Sequence, residues 1–233
     1  MSEFSRLMGV FVSPGEAFAD IVKRPRWWIP VILVSLFSTM FIIAFSNRVG
    51  FEQMIRQALQ QSSQGQNMSA EQMQQAITRG SQVLQVFSYG GAIISVTISV
   101  FVISVVLLFL FDTIMGADIG LKRLMGIVSY AYLPTIVSSM LAMLVMYLKP
   151  PEDFNLQNPL AFNAGAFLAN DTSAWLKGLA GSLDLFSFWI IALMAIGAGA
   201  ASRKMTFGKA FGTILFPWAL YVLMKTGYLV LRG

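Results

Sequence analysis

GGAIISVTISVFVISVVLLFLF, running from Gly90 to Phe111, decides the fold. It is apolar apart from scattered Ser and Thr, and it carries no charge. As a helix rising about 1.5 Å per residue it reaches about 33 Å, enough to cross a hydrocarbon core roughly 30 Å thick. Four more apolar stretches of crossing length lie at about 29–46, 127–148, 183–201 and 210–231. Any one of them alone could be a buried core helix; five in 233 residues point to lipid. The chain therefore reads as an all-α, polytopic integral membrane helical bundle with five transmembrane helices. Residues 1–28 form a leader of short interfacial helices. The membrane domain, 29–233, includes an outer helical loop at about 47–89 and an outer apolar loop at about 149–182.

Composition agrees. Hydrophobic residues make up 56% of the chain and charged residues 12%, about half the charged share of a soluble protein. So little charge could not cover a water-facing surface. Histidine and cysteine are both absent. That removes disulfides, thiolate nucleophiles, His–Cys zinc sites, haem ligation by His and every triad that needs an imidazole base. The scattered carboxylates form no dyad. P-loop, dinucleotide-binding and metal signatures are missing too, Gly197-Ala198-Gly199 being span packing. No enzyme activity, cofactor or metal is expected. The net charge of +5 suits cations flanking membrane spans better than a nucleic-acid surface, so no nucleic-acid partner is expected.

Orientation follows from Lys and Arg. Nine lie on one face, in the leader and two short loops: Arg6, Lys23, Arg24, Arg26, Lys122, Arg123, Arg203, Lys204 and Lys209. Six lie on the other, several within long loops: Arg48, Arg56, Arg79, Lys149, Lys177 and Arg232. Lys225 falls inside a span. The N-terminus is expected in the cytoplasm and the C-terminus outside. A cleaved signal peptide is the alternative for the first stretch, with Ala44-Phe45-Ser46 as its cleavage site. The 28 residues before it carry acids as well as bases, a poor n-region, so the reading is an uncleaved anchor.

In the leader, Phe4, Leu7, Met8 and Phe11 recur at helical spacing as one apolar face. Ser13-Pro14-Gly15-Glu16 then opens a second helix as a capping box with Pro at its first position. Phe18, Ile21 and Val22 continue an apolar face until Pro25 stops it. Such helices with basic ends lie on anionic lipid, either as a sensor of lipid or partner or as a plain membrane-entry cuff. The first outer loop carries an apolar stripe at Phe51, Met54, Ile55, Ala58 and Leu59, a turn at Ser62–Asn67, and a second capping box at Ser69-Ala70-Glu71-Gln72, together a helical hairpin. The second outer loop is too interrupted to span and too apolar for a free tail, and is expected to fold back onto the outer membrane surface.

The entry Ser13-Pro14…Phe18…Pro25-Arg26-Trp27-Trp28-Ile29-Pro30 resembles the start of bacterial Yip-domain proteins, relatives of the Rab-interacting Yip membrane proteins of eukaryotes. Gly116 through Lys122, Arg123, Ser129, Tyr130, Leu133 and Pro134 is similar to the same family. So are Asn158-Pro159-Leu160, Leu183 to Trp189, and Ala195-Ile196-Gly197. The likeness covers nearly the whole chain and rests on the order of these segments. It implies a helical membrane bundle that acts with protein partners, in eukaryotes during vesicle trafficking, and it places this chain in a bacterial inner membrane. Ser129 stands where eukaryotic members often have Gly before the Tyr, so Rab binding is not carried over.

Ionisable residues near spans need an account, because each costs about 2.5–3.5 kcal/mol at the bilayer centre. Asp112 ends the second span, Asp184 opens the fourth, and Lys225 lies near the outer end of the fifth. Asp184 and Lys225 either pair or snorkel separately to water. Pro134 and Pro217 should kink their helices. Each follows a basic residue and a glycine, which raises the question of a two-hairpin repeat, although shared packing chemistry explains it equally well. Small residues four apart, Gly91, Ser95 and Ser99, and Ala195 with Gly199, mark helix-packing faces, within one chain or as a homodimer seam. The partners expected are the lipid bilayer and another membrane or membrane-associated protein, with a second copy of the chain as a further candidate. A partner-binding or membrane-organising scaffold is the leading function; a small transporter, channel or lipid-handling bundle using Asp184 and Lys225 is the alternative. The topology has a direct check. A protease cleaving only from outside the cell should remove a C-terminal tag and spare an N-terminal one; equal cleavage of both would overturn the odd number of crossings.

Overall fold

The computed structural model describes residues 1–60, 65, 67–154, 156, 158–169 and 172–232. It is all-helical: 80% of it is helix. Among the described residues the only strand-like pairing is an isolated antiparallel bridge between Asn163 and Asp184. In chain order the helices are α1 Glu3–Val12, α2 Pro14–Ile21, α3 Trp28–Arg48, α4 Phe51–Gln60, α5 Ala70–Leu108, α6 Leu121–Ala131, α7 Pro134–Leu148, α8 Ala174–Ser182, α9 Leu185–Ala201 and α10 Phe207–Arg232. A π-helical turn, Phe109–Ile114, extends α5.

Among the described residues, four helices are long and apolar enough to cross a membrane: Trp28–Arg48, Ala70–Ile114, Leu121–Leu148 taken through its break, and Phe207–Val230. The α9 helix is equally apolar but has only 17 residues, the lower limit for a crossing. This is a multi-pass membrane protein with four to five helices of spanning character.

Local chemistry explains the helix ends, and corrects two expectations. Ser69 and Gln72 cap α5 reciprocally: Ser69 N–H donates to Gln72 Oε1 at 3.0 Å, and Gln72 N–H to Ser69 Oγ at 3.2 Å. The box expected at Ser13–Glu16 does not form. Ser13 makes no side-chain cap bond, and its N–H, which Glu16 would take in such a box, is engaged by Gly9 O at 2.8 Å. Most of the turn expected at Ser62–Asn67 lies outside the described residues. The stretch read as a single third span is two helices. Pro134 does more than kink it: it starts α7, since a residue without an N–H suits a first helical position. The carbonyls at the break are filled. Leu133 N–H reaches Tyr130 O at 3.2 Å, and Tyr132 O accepts from Thr135 N–H at 2.9 Å and Thr135 Oγ1 at 2.6 Å. Pro217, by contrast, lies inside a continuous α10.

The chain forms two compact units. The first comprises Met1–Val34, Thr97–Ser138 and Leu160–Gly233. In it α2 packs against α6 and α9, and α9 lies along α10. Phe18, Ile21, Leu124, Ile127, Ala131, Ala195 and Ala198 are buried there. Two glycines permit this approach. A Cβ on Gly126 would stand 2.8 Å from Pro25 Cβ, and one on Gly197 would stand 2.5 Å from Ile127 Cγ2 and 3.0 Å from Phe18 Cδ1.

The second unit comprises Ser35–Val96 and Ser139–Pro159. Its core is Phe45, Phe51, Met146 and Phe154, with Phe45 and Phe51 edge-to-face at 5.5 Å. Here the start of the apolar loop at about 149–182 is anchored, through buried Phe154. The α4 helix folds back on the start of α5, where a Cβ on Gly80 would meet Ile55 Cδ1 at 2.8 Å.

Gly197→Val should destabilise the first unit by about 1–3 kcal/mol, the usual cost of forcing extra methyls into a packed core. Gly212→Ala, where a Cβ meets nothing within 4 Å, should leave it unchanged. Unfolding of the purified protein in detergent, titrated with SDS, measures the difference.

Candidate functional site

The leader is bolted to the first unit. Ser2 caps α1 by accepting Ser5 N–H at 3.1 Å. The α1 and α2 helices pack as a hairpin in which Gly9 faces Ala17, a Cβ on Gly9 standing 3.1 Å from Ala17 Cβ. The buried side of α1 is Arg6, Gly9 and Val10. Of the apolar stripe expected to lie on lipid, Phe4 is 73% exposed and Met8 49%, while Leu7 and Phe11 are half-buried; Val12, beside it, is 78% exposed. On α2 the expected face is the buried one, with Ala17, Phe18 and Ile21 all at 0%.

What sets the rotation of α1 is Arg6, only 2% exposed. A guanidinium stays charged in proteins and must find fixed acceptors when buried. Its Nε donates to Asp20 Oδ2 at 2.7 Å, and its Nη1 to Glu3 Oε1 at 3.0 Å and to Arg24 O at 3.0 Å. Glu3 is occupied on both oxygens: Oε1 also pairs with Arg26 at 3.1 Å, and Oε2 accepts from Tyr130 Oη at 2.8 Å. The N-terminal ammonium lies 3.3 Å from Asp20 Oδ2. The Arg6 hydrogen bond holds the Asp20 carboxyl below the usual carboxylate range; burial opposes this and the N-terminal ammonium reinforces it. The cluster thus joins α1, α2, the α3 entry and α6.

Aromatic rings fasten the hairpin to α9. Phe11 meets Trp189 edge-to-face at 5.8 Å, Trp189 stacks on Phe186 at 6.3 Å, and Phe186 meets Phe162 at 6.1 Å. Several residues singled out by the family likeness converge here: Pro25 against Gly126, Tyr130 on Glu3, Trp189 on Phe11, and Gly197 against Phe18. Pro14 opens α2. Pro30 sits buried in the first turn of α3, where no N–H is needed, and Trp28 is exposed at its mouth.

The charges near spans have structural partners. Asp112 accepts Ile119 N–H and Gly120 N–H, both at 2.8 Å, closing a loop in which Gly116, Asp118 and Gly120 all have positive φ. Gly116 O accepts from Lys204 Nζ. Asp184 caps α9 through Ser187 N–H at 2.9 Å. Lys225 Nζ lies 3.2 Å from Ser182 Oγ. No Asp184–Lys225 ion pair occurs among the described residues: Asp184 is engaged by its own helix and Lys225 by the Ser182 hydroxyl. Gly91 and Ser95 line a shallow slot of about 340 Å³ with Ser38 and Ser139. A Cβ on Gly91 would meet nothing within 4 Å, so it makes no close approach within the chain; Ser99 is partly buried outside the slot. Ala195 is fully buried, and Gly199 sits against Met205 O.

The Yip1 domain model matches residues 8–228. The chain belongs to the Yip1 domain family. Neither the curated proteins nor the solved structures yield a match. The match begins within α1 and runs to the last turns of α10. It therefore covers most of the docked hairpin but not Glu3 or Arg6.

Sequence reasoning missed the Glu3–Arg6–Asp20–Arg26 cluster, using Arg6 and Arg26 only to set orientation. A signal was present: opposite charges at positions 3 and 6, and an acid at the far end of the next helix, fall together once the two helices form a hairpin. Arg6→Ala leaves two acids without their main partner. Its cost should lie near the low end of about 3–5 kcal/mol, since both carboxylates are 27% exposed. The Asp20 contribution is present above the unfolded carboxylate pKa and lost as pH falls through the lowered folded value. Corrected for the intrinsic pH dependence of amide exchange, protection of α1 should therefore fall on acidification in the parent and much less in Asp20→Asn. Equal falls in both would show that Asp20 does not hold the hairpin.

Proposed function

We propose that this Yip1-domain membrane protein is a non-enzymatic scaffold that binds another membrane or membrane-associated protein. We place it in a cell inner membrane, with its N-terminus cytoplasmic and C-terminus outside. The observation that carries the reading is the outward ridge Phe4–Met8–Val12, apolar and exposed, on a helix that Arg6 clamps from behind. A preformed apolar ridge binds with little ordering cost, which favours recognition over mere membrane entry. The family likeness points the same way, since its eukaryotic relatives act with protein partners.

The Gly91–Ser95 slot supports self-association as a second contact, because small residues let helices of neighbouring chains approach. Transport finds less support: Asp112, Asp184 and Lys225 are held by caps and hydroxyls. A photocrosslinking residue at Met8 should capture one protein at stoichiometric yield in cells. Phe4→Ser with Val12→Ser should abolish the adduct while leaving thermal unfolding unchanged. Crosslinks to lipid alone would refute the scaffold reading.

A further inference from the structure

Where the π-helical turn Phe109–Ile114 meets the start of α10, an apolar groove of about 470 Å³ is left open. Its walls include Leu110, Ile114 and Phe216, its floor Gly208 and Gly212, and Lys209 stands in its lining. The two glycines lie one turn apart, and a Cβ on either would meet nothing within 4 Å. The groove is therefore space the chain does not fill with its own atoms. Its surroundings are apolar and face outward: Phe109, Ile114, Phe207 and Phe216 are all exposed.

The charge beside it is one-sided. Thr213 Oγ1 on Met115 Sδ at 3.3 Å, and Lys204 Nζ on Gly116 O, join the loop after α5 to the loop before α10. Those loops and the first turns they open carry Lys122, Arg123, Arg203, Lys204 and Lys209. Lys204 pairs with Asp118 at 3.9 Å. Among the described residues, Lys122, Arg123, Arg203 and Lys209 form no ion pair. Asp112, the other nearby acid, is spent on backbone N–H groups.

An apolar slot lined by the unpaired cation Lys209, on a chain whose flanking loops carry further unpaired cations, matches an amphiphile whose head is anionic. We propose that this groove is a binding site for an anionic phospholipid. One acyl chain lies over Gly208 and Gly212 between Leu110, Ile114 and Phe216. The headgroup phosphate is held by the Lys209 ammonium. The glycines matter because any side chain there would displace the methylenes, and Lys209 because it selects head charge. This site needs only the membrane setting and is independent of the partner-binding reading.

Native mass spectrometry of the purified full-length protein tests it, with phosphatidylglycerol, phosphatidylcholine and inorganic phosphate as probes. Phosphatidylglycerol should stay bound where phosphatidylcholine is shed, and inorganic phosphate should neither bind measurably nor compete. Lys209→Gln should weaken phosphatidylglycerol about five-fold, the factor carried by one basic residue at an anionic surface. Gly212→Leu should abolish retention, whereas Gly227→Leu, at an equally open position of the same helix, should not. Both leucine variants replace a poor helix former at an unobstructed position, so folding should survive. Equal retention of the two lipids, full retention by Gly212→Leu, or competition by phosphate at lipid concentrations would overturn the assignment.

Discussion

A guanidinium buried to 2% exposure constrains everything around it. Water cannot serve it and it does not give up its proton, so the fold must bring acceptors to it. Glu3, Asp20 and the Arg24 carbonyl do so from three directions, and that fixes how α1 and α2 pair. Once paired, α2 has one way to face. Phe18 and Ile21 enter the space left by Gly126 and Gly197, and Pro25 closes over α6. The same choice turns Phe4, Met8 and Val12 outward. Polar satisfaction thus outranked apolar area in orienting α1.

Elsewhere in the first unit the same constraint acts on the backbone. A chain in lipid cannot leave carbonyls or N–H groups unpaired. At the Tyr132–Leu133 break, the freed carbonyls are taken by Leu133 N–H and by Thr135. Below the π-helical turn, Asp112 takes the N–H groups of Ile119 and Gly120, so a carboxylate that looks functional in a span is a loop staple. Asp184 does the same work at the head of α9. Charges at span ends are often caps first.

The helices themselves were legible from composition and period. The crossing stretches, the Pro30 entry, the Ser69–Gln72 cap and the apolar face of α2 all follow from runs of apolar residues and local hydrogen-bonding rules. The order of segments also pointed to the Yip1 family, which the domain match covers from residue 8 to 228. Local rules failed where two segments competed for one group. At Ser13 the capping box did not close: Gly9 O holds the N–H that Glu16 would take, and the Ser13 hydroxyl makes no cap bond. The stripe on α1 divides, Phe4 and Met8 turning outward and Phe11 meeting Trp189, since periodicity names a face without saying what it meets. Small-residue spacing was equally silent on depth: Ala195 is fully buried, whereas a Cβ on Gly91 would face open space.

By itself the sequence determined the solvent. Too few charges and too many long apolar runs leave lipid as the only medium in which these helices are stable, and the flanking Lys and Arg set which residues stay near water. Tertiary structure alone decided which charges meet and which glycines are filled. Those outcomes depend on contacts such as Glu3 with Tyr130, 127 positions apart. No local pattern encodes a distance of that kind; it exists only when helices far apart in the chain have closed around a charge that none of them could bury alone.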